Sequence, residues 1–195
     1  MLDWEDLYQQ GDTGWDRGMI SPALQHWFDT NELKAGQRVL IPGCGRGYEV
    51  IALAKRGFEV TALDLAPSAI DAVKQGLQEA GLSATLVCSD LFDYQPKQGF
   101  DVIYEQTCLC ALPVERREDY EQCLFSWLKR DGILCFSMMQ TGEQGGPPFH
   151  CDWLDMKVLF SEKRWQWPGE PPIFIPRPSG LRFELGFMLH SQKAK

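Results

Sequence analysis

The chain has no lysine or arginine run beyond adjacent pairs, and its 19 basic residues are outnumbered by 27 acidic ones, for a net charge of −8. Neutralising phosphates requires a basic surface, so nucleic acid is not an expected partner. The same balance argues against docking on anionic membranes. Long apolar runs are missing too: stretches such as IALA and LCFSMM are far too short to span a bilayer. The opening MLDWEDLYQQ is acidic and lacks a basic region followed by an apolar stretch, so it does not read as a secretory signal. No Cys-x-x-Cys pair occurs among the 7 cysteines, which sit at 44, 88, 108, 110, 123, 135 and 151, mostly in apolar runs. An odd number without a ligand spacing predicts buried, reduced thiols in a cytoplasmic protein, and no metal site. Internal repeats and low-complexity segments are absent.

What is present fits an ordinary globular chain: 195 residues, of which 44% are apolar. That length suits one domain, expected over 1–195, and the aromatic- and turn-rich segment 1–35 reads either as an N-terminal cap over the active site or as edge packing. From Gln37 onward, short apolar runs alternate with helix-like ones. RVLIP (38–42), EVTALDL (59–65), ATLVC (84–88), FDVIYE (100–105) and GILCFSMM (132–139) read as five strands. Their nearly continuous apolar character suits parallel strands covered on both faces. Helices are expected over 48–56 and 68–80, ending at Gly57 and Gly81, and over 114–130, stopped by Asp131-Gly132. After Met139 come the Gly/Pro loop TGEQGGPPF, a short helix over 152–160, and a loosely placed strand near 163–168. The segment RFELGFMLH alternates, with Phe183, Leu185, Phe187 and Leu189 on one face, as in a half-buried antiparallel strand. The expected fold is therefore α/β: a doubly wound, mostly parallel, seven-stranded sheet with one antiparallel strand. No apolar helix face demands a dimer, so a monomer or weak dimer is expected.

The strongest local signal is VLIPGCGRGYEV. A strand runs directly into Gly43, Gly45 and Gly47, and a helix begins at once. Glycines there let the backbone turn tightly and approach a ligand, while the helix start offers free N–H groups. The spacing G-x-G-x-G differs from the G-x-G-x-x-G that accommodates a pyrophosphate, and suits a ligand carboxylate or amine at least as well. Asp64 ends the second strand, Ser89-Asp90 the third with apolar Leu91 and Phe92 following, and Glu105 the fourth. Strand carboxyl ends line the ligand crevice of such sheets. Asp64 can accept both ribose hydroxyls, and Asp90 an adenine amine with apolar neighbours against the ring. One acidic strand end is most often a turn former. Successive ones after a glycine turn point to a cofactor containing adenosine.

These motifs resemble class I S-adenosylmethionine-dependent methyltransferases. The likeness is to the thiopurine S-methyltransferase family, particularly its halide/thiocyanate (thiol) methyltransferase branch. It rests on W-E-x-x-Y with G-W-D-x-G at the start, I-P-G-C-G-R-G-Y, A-L-D-L, F-D-V-I-Y-E-Q-T-C-L-C-A-L and G-G-P-P-F. The resemblance implies that Trp4, Tyr8 and Trp15 line the cofactor and methyl-transfer site, with Tyr8 where relatives usually carry Trp. It further implies that Gly43 lies beside the methionine moiety, that Gly45 on the same turn is a cofactor contact, that Asp64 binds the ribose, and that Asp90 and Leu91 contact the adenine. Gln106 stands where thiopurine-type members have Arg and the plant branch has Tyr.

The implied reaction is transfer of a methyl group from S-adenosylmethionine to a small-molecule thiol, thiocyanate or similar soft nucleophile. A thiol near its pKa is already partly ionised, so the absence of an obvious His-Asp dyad suits S-methylation. No catalytic acid or base is assigned. Trp15, Phe149 and His150 are candidate acceptor contacts. Trp153, Trp165 and Trp167 read better as packing, His26 and His190 as surface residues, and Arg116-Arg117 as a solvated pair. Alternatives left open are N- or O-methylation of a small metabolite, and a cofactor-binding protein without catalysis.

Overall fold

Short apolar runs become the strands that carry the site. The computed structural model describes residues 2–177, 180 and 182–193, with eight strands in a mixed α/β arrangement. The chain divides into two compact units, residues 1–94 and 95–195, and each is described by itself.

In the first unit, β1 (Arg38–Pro42), β2 (Glu59–Asp64) and β3 (Thr85–Cys88) pair in parallel in the order β3-β2-β1. Val39, Leu40, Ala62 and Leu63 are completely buried. Each large apolar side chain so placed contributes about 1.5–3 kcal/mol. Helix α3 (Tyr48–Lys55) follows β1, and α4 (Pro67–Ala80) follows β2. In α4 the residues Ala69, Val73 and Leu77 recur every fourth position and form its buried stripe, and left-handed Gly81 ends it. The first 35 residues are of two kinds. Helix α1 (Trp4–Gln10) buries no residue, whereas α2 (Pro22–Asp29) buries Ala23, Leu24 and Trp27 and is capped by the Ser21 hydroxyl.

In the second unit, β4 (Phe100–Gln106) pairs in parallel with β5 (Leu128–Gln140), and β8 (Phe183–Ser191) lies antiparallel on β5. Helices α5 (Arg117–Trp127) and α6 (Trp153–Leu159) complete it. The strands β6 (Trp165–Gln166) and β7 (Ile173–Pro176) both run antiparallel to β8, so β8 is the reversed strand that the alternation suggests.

Four expectations need correction. Among the described residues there are eight strands rather than seven; the extra one is β7, in the proline-flanked run PPIFIP. Proline is tolerated on strands with a free edge, so these prolines did not prevent pairing. The third helix ends at Trp127, not Arg130, because Leu128 already pairs with Phe100. Asp131, at φ 56, and Gly132 accompany a register shift inside β5 instead of stopping a helix. Strand β8 is buried on both faces, with Glu184 fully enclosed. The thiols are all free, but Cys88 is exposed and Cys108 and Cys123 are half-buried.

Candidate active site

The turn after β1 is built for close approach. Gly43, Gly45 and Gly47 all have positive φ, at 61, 55 and 79°. A Cβ on Gly47 would lie 2.6 Å from a Val73 methyl, so no larger residue fits where α3 begins. The turn is anchored to β2 twice, by Cys44 N–H to the Leu63 carbonyl at 3.1 Å and by Gly45 N–H to Asp64 Oδ2 at 2.9 Å.

Asp64 is only 8% exposed, and its other oxygen accepts from Ala66 N–H at 3.0 Å. Burial raises its pKa; the Ala66, Gly45 and Leu65 N–H groups oppose that shift. The carboxylate thus organises the turn around it. Its backbone carbonyl accepts from Ser89 N–H at 3.0 Å, which sets the ends of β2 and β3 side by side. There Asp90 Oδ1 accepts from Phe92 N–H at 2.8 Å, an Asx-type turn that orders Leu91 and Phe92.

The N-terminal aromatics meet this turn. Trp15 packs edge-on against Trp4 and Tyr8, with ring centroids at 5.3 and 5.6 Å. The Tyr8 hydroxyl lies 3.2 Å from where a Gly45 Cβ would be. Burial and then the Asp64 charge push the Tyr8 phenol above its ordinary range. Trp4, Tyr8, Trp15, Gly45 and Asp64 are therefore brought into one neighbourhood, with Gly43 on the same turn and Asp90 and Leu91 at the adjacent strand end.

Residues not singled out in the sequence complete the arrangement. Asp16 Oδ2 accepts from Arg46 Nε at 2.9 Å, and Asp16 Oδ1 from Gly18 N–H at 2.7 Å, so the G-W-D segment is tied to the glycine turn. Leu65, directly after Asp64, is 48% exposed. It lines a hollow of about 290 Å³ together with Leu2, Asp3, Trp4 and Glu5. An exposed leucine beside a buried acid leaves apolar surface open next to the turn.

Gln106, Phe149 and His150 belong to the second unit. Gln106 accepts from the Tyr104 hydroxyl at 2.6 Å and is followed by Thr107 at φ 58, a strained conformation for a β-branched residue. Glu105 is fully buried, and its Oε1 accepts from Leu109 N–H at 2.7 Å. Burial pushes its pKa up to about 8, against the lowering effect of the Leu109 and Cys108 N–H groups. It thus braces the Gln106–Leu109 turn. Phe149 N–H donates to the Cys110 carbonyl at 2.7 Å. His150 Nδ1 accepts from Thr141 N–H at 3.1 Å and Gly142 N–H at 3.3 Å, which leaves the ring proton on Nε2. Arg117 is buried rather than solvated, and both its Nη atoms donate to the His150 carbonyl at 3.2 Å. Trp153 stacks on Phe187 at 4.9 Å and meets Trp167 edge-on at 5.3 Å, as expected of packing residues. Burial holds the Cys110 and Cys151 thiols protonated, the latter with a pKa raised to about 11, so neither is an activated nucleophile. His26 and His190 are exposed. Among the described residues no helix is long and apolar enough to cross a membrane.

The family model described as thiopurine S-methyltransferase matches residues 2–168. Thiocyanate methyltransferase 1 of Brassica oleracea is 34% identical over 149 residues, 75% of this chain and 66% of the relative. The chain thus spans 66% of the length of the plant relatives it matches. Thiopurine S-methyltransferase of Xanthomonas euvesicatoria pv. vesicatoria (strain 85-10) is 30% identical over 183 residues, covering 84% of this chain and 82% of the relative. Among solved structures, the 1,6-didemethyltoxoflavin-N1-methyltransferase of Burkholderia thailandensis, with S-adenosylhomocysteine bound, superposes with a TM-score of 0.76 at 19% identity. That match covers 96% of this chain and 85% of the other, and it concerns the fold.

Proposed function

Because the chain belongs to the thiopurine S-methyltransferase family, we propose that it is an S-adenosylmethionine-dependent methyltransferase whose acceptor is a small thiol, thiocyanate or similar soft nucleophile. The observation that carries this reading is the family match through 2–168, within which three aromatic rings pack at the glycine turn next to Asp64. The turn suits the cofactor: its positive φ values and the space taken up at Gly47 keep side chains out. Gly43 and Gly45 would flank the methionine moiety, Asp64 the ribose, and Asp90, Leu91 and Leu65 the adenine.

S-Adenosylmethionine supplies a methyl group on a sulfonium, already activated for in-line displacement. The protein's share is to bind, orient and exclude water. Trp4, Tyr8 and Trp15 would present aromatic faces to the cationic sulfur. The same reading assigns Gln106 to cofactor contact, and Phe149 and His150, with Trp15, to the acceptor. It treats 1–195 as one methyltransferase domain capped by 1–35, acting as a monomer or weak dimer in the cytoplasm, where free thiols persist. The name of the Brassica relative, thiocyanate methyltransferase 1, favours the soft acceptor over an alcohol.

Incubation with labelled cofactor and a panel of thiocyanate, hydrosulfide and small thiols tests it. The expected products are methyl thiocyanate, methanethiol and methyl thioethers, respectively, each with S-adenosylhomocysteine as the leaving product. Turnover confined to amines or alcohols would overturn the acceptor assignment.

A further inference from the structure

Helix α4 begins without a cap of its own. Its N-cap position is Ala66, which has no side-chain acceptor, and Pro67 follows. An N-cap alanine leaves helix N–H groups unsatisfied unless another group accepts from them. That group comes from 63 residues earlier: Glu5 Oε2 accepts from the Ser68 N–H at 2.9 Å, and Oε1 from the Ser68 hydroxyl at 2.6 Å. Both oxygens of one carboxylate are committed to a single residue at the positive end of the helix. These bonds, with a third from the Gln9 side chain, hold the Glu5 carboxyl below its usual range.

The two partners sit at informative places. Glu5 lies on α1 between Trp4 and Tyr8, and Ser68 lies just beyond Ala66, whose N–H donates to Asp64. Helix α1 spans only 7 residues and buries none of them, so it has little intrinsic reason to persist. Together with ring packing on Trp15 and the Arg46 guanidinium 5.9 Å from the Tyr8 ring, this contact ties α1 to the core. We infer that Glu5 and Ser68 form a clasp that holds α1 over the glycine turn and Asp64, making Glu5 a positioning residue for cofactor retention. The clasp links the sequence-distant cap to the strand end bearing the ribose acid: with it open, α4 loses its cap and the Trp4 and Tyr8 rings lose their seat. The inference rests on the cofactor reading above.

The test is calorimetric titration of S-adenosylhomocysteine into wild type, Glu5→Gln, Ser68→Ala, the double variant and Ser68→Thr, with the ligand-free thermal midpoint of each. The expected single-variant loss in affinity is roughly fivefold, the size of an N-cap removal. The double variant should lose less than the product of the two single losses, since both changes weaken one shared contact, of which Ser68→Ala leaves the backbone N–H bond to Glu5 in place. Ser68→Thr keeps the hydroxyl and should retain affinity, and the ligand-free midpoints of the other variants should fall only by the about 2–4 °C that a lost N-cap costs. Losses that multiply in the double variant, or variants that bind like wild type, would overturn the clasp while leaving the cofactor reading intact. Absence of binding by wild type would remove both.

Discussion

The Tyr8 hydroxyl stands 3.2 Å from the point where a Cβ on Gly45 would lie, and Gly45 itself has φ 55°. Two separate obstacles therefore oppose a side chain at this position. The left-handed backbone costs an L-residue about 1–2 kcal/mol, and the hydroxyl adds crowding. Gly45→Ala should lower stability by at least that amount in urea unfolding. In a Tyr8→Phe background only the crowding part should return, because the backbone conformation is unchanged. Full recovery there would show that strain is not what selects glycine.

Asp64 supports the turn before it meets any ligand, since Gly45 and Ala66 both donate to it. Asp64→Ala should orphan these N–H groups and cost about 1–3 kcal/mol of stability. Titration with S-adenosylhomocysteine should show wild-type binding in the micromolar range (about −8 kcal/mol), largely abolished in Asp64→Ala. A variant that binds normally would remove Asp64 from the cofactor assignment.

Glu105 makes stability depend on pH in a definite direction. Its folded pKa of about 8 lies above the ordinary 4.5, so the native state holds the proton more tightly than the unfolded chain. Its contribution is fully present below about pH 4.5 and is lost as pH rises through about 8. Glu105→Gln, a neutral near-isostere, should flatten the decline in unfolding free energy between those values. An unchanged slope would show that Glu105 titrates normally.

Arg117 reaches the His150 carbonyl with two N–H groups from a nearly closed site. Replacing it by Met should lower stability by about 3 kcal/mol, the scale for breaking a buried charged contact. The 141–150 loop should loosen with it. A Glu-specific protease should then cut after Glu143 faster than in wild type; equal rates would mean that the loop holds without Arg117.

Strands β1 to β5 were readable because each is a short apolar run bounded by helix and turn signals, and α4 because Ala69, Val73 and Leu77 share a face. The glycine turn and Asp64 were readable because positive φ and a strand-end acid leave a local signature. Strand β7 was not, since IFIP between prolines looks like loop until β8 offers it an edge. Arg117 was misjudged for a similar reason: Arg116-Arg117 reads as a solvated pair, and only folding puts the second guanidinium beneath the His150 carbonyl.

Local chemistry alone determined the alternation of strand and helix, the glycine turn, its acid partner and the family resemblance, because each depends on residues close together in the chain. Tertiary structure decided which distant residues serve them. Ala66 has no cap until Glu5 supplies one, the W-E motif gives no hint of Ser68, and Asp16 finds Arg46 only when the N-terminal segment meets the turn. Contacts made across 30 or 63 residues leave no periodicity or spacing in a sequence. They depend on where the packed strands bring the chain ends of α1 and α4, which the burial of Val39, Leu40, Ala62 and Leu63 controls.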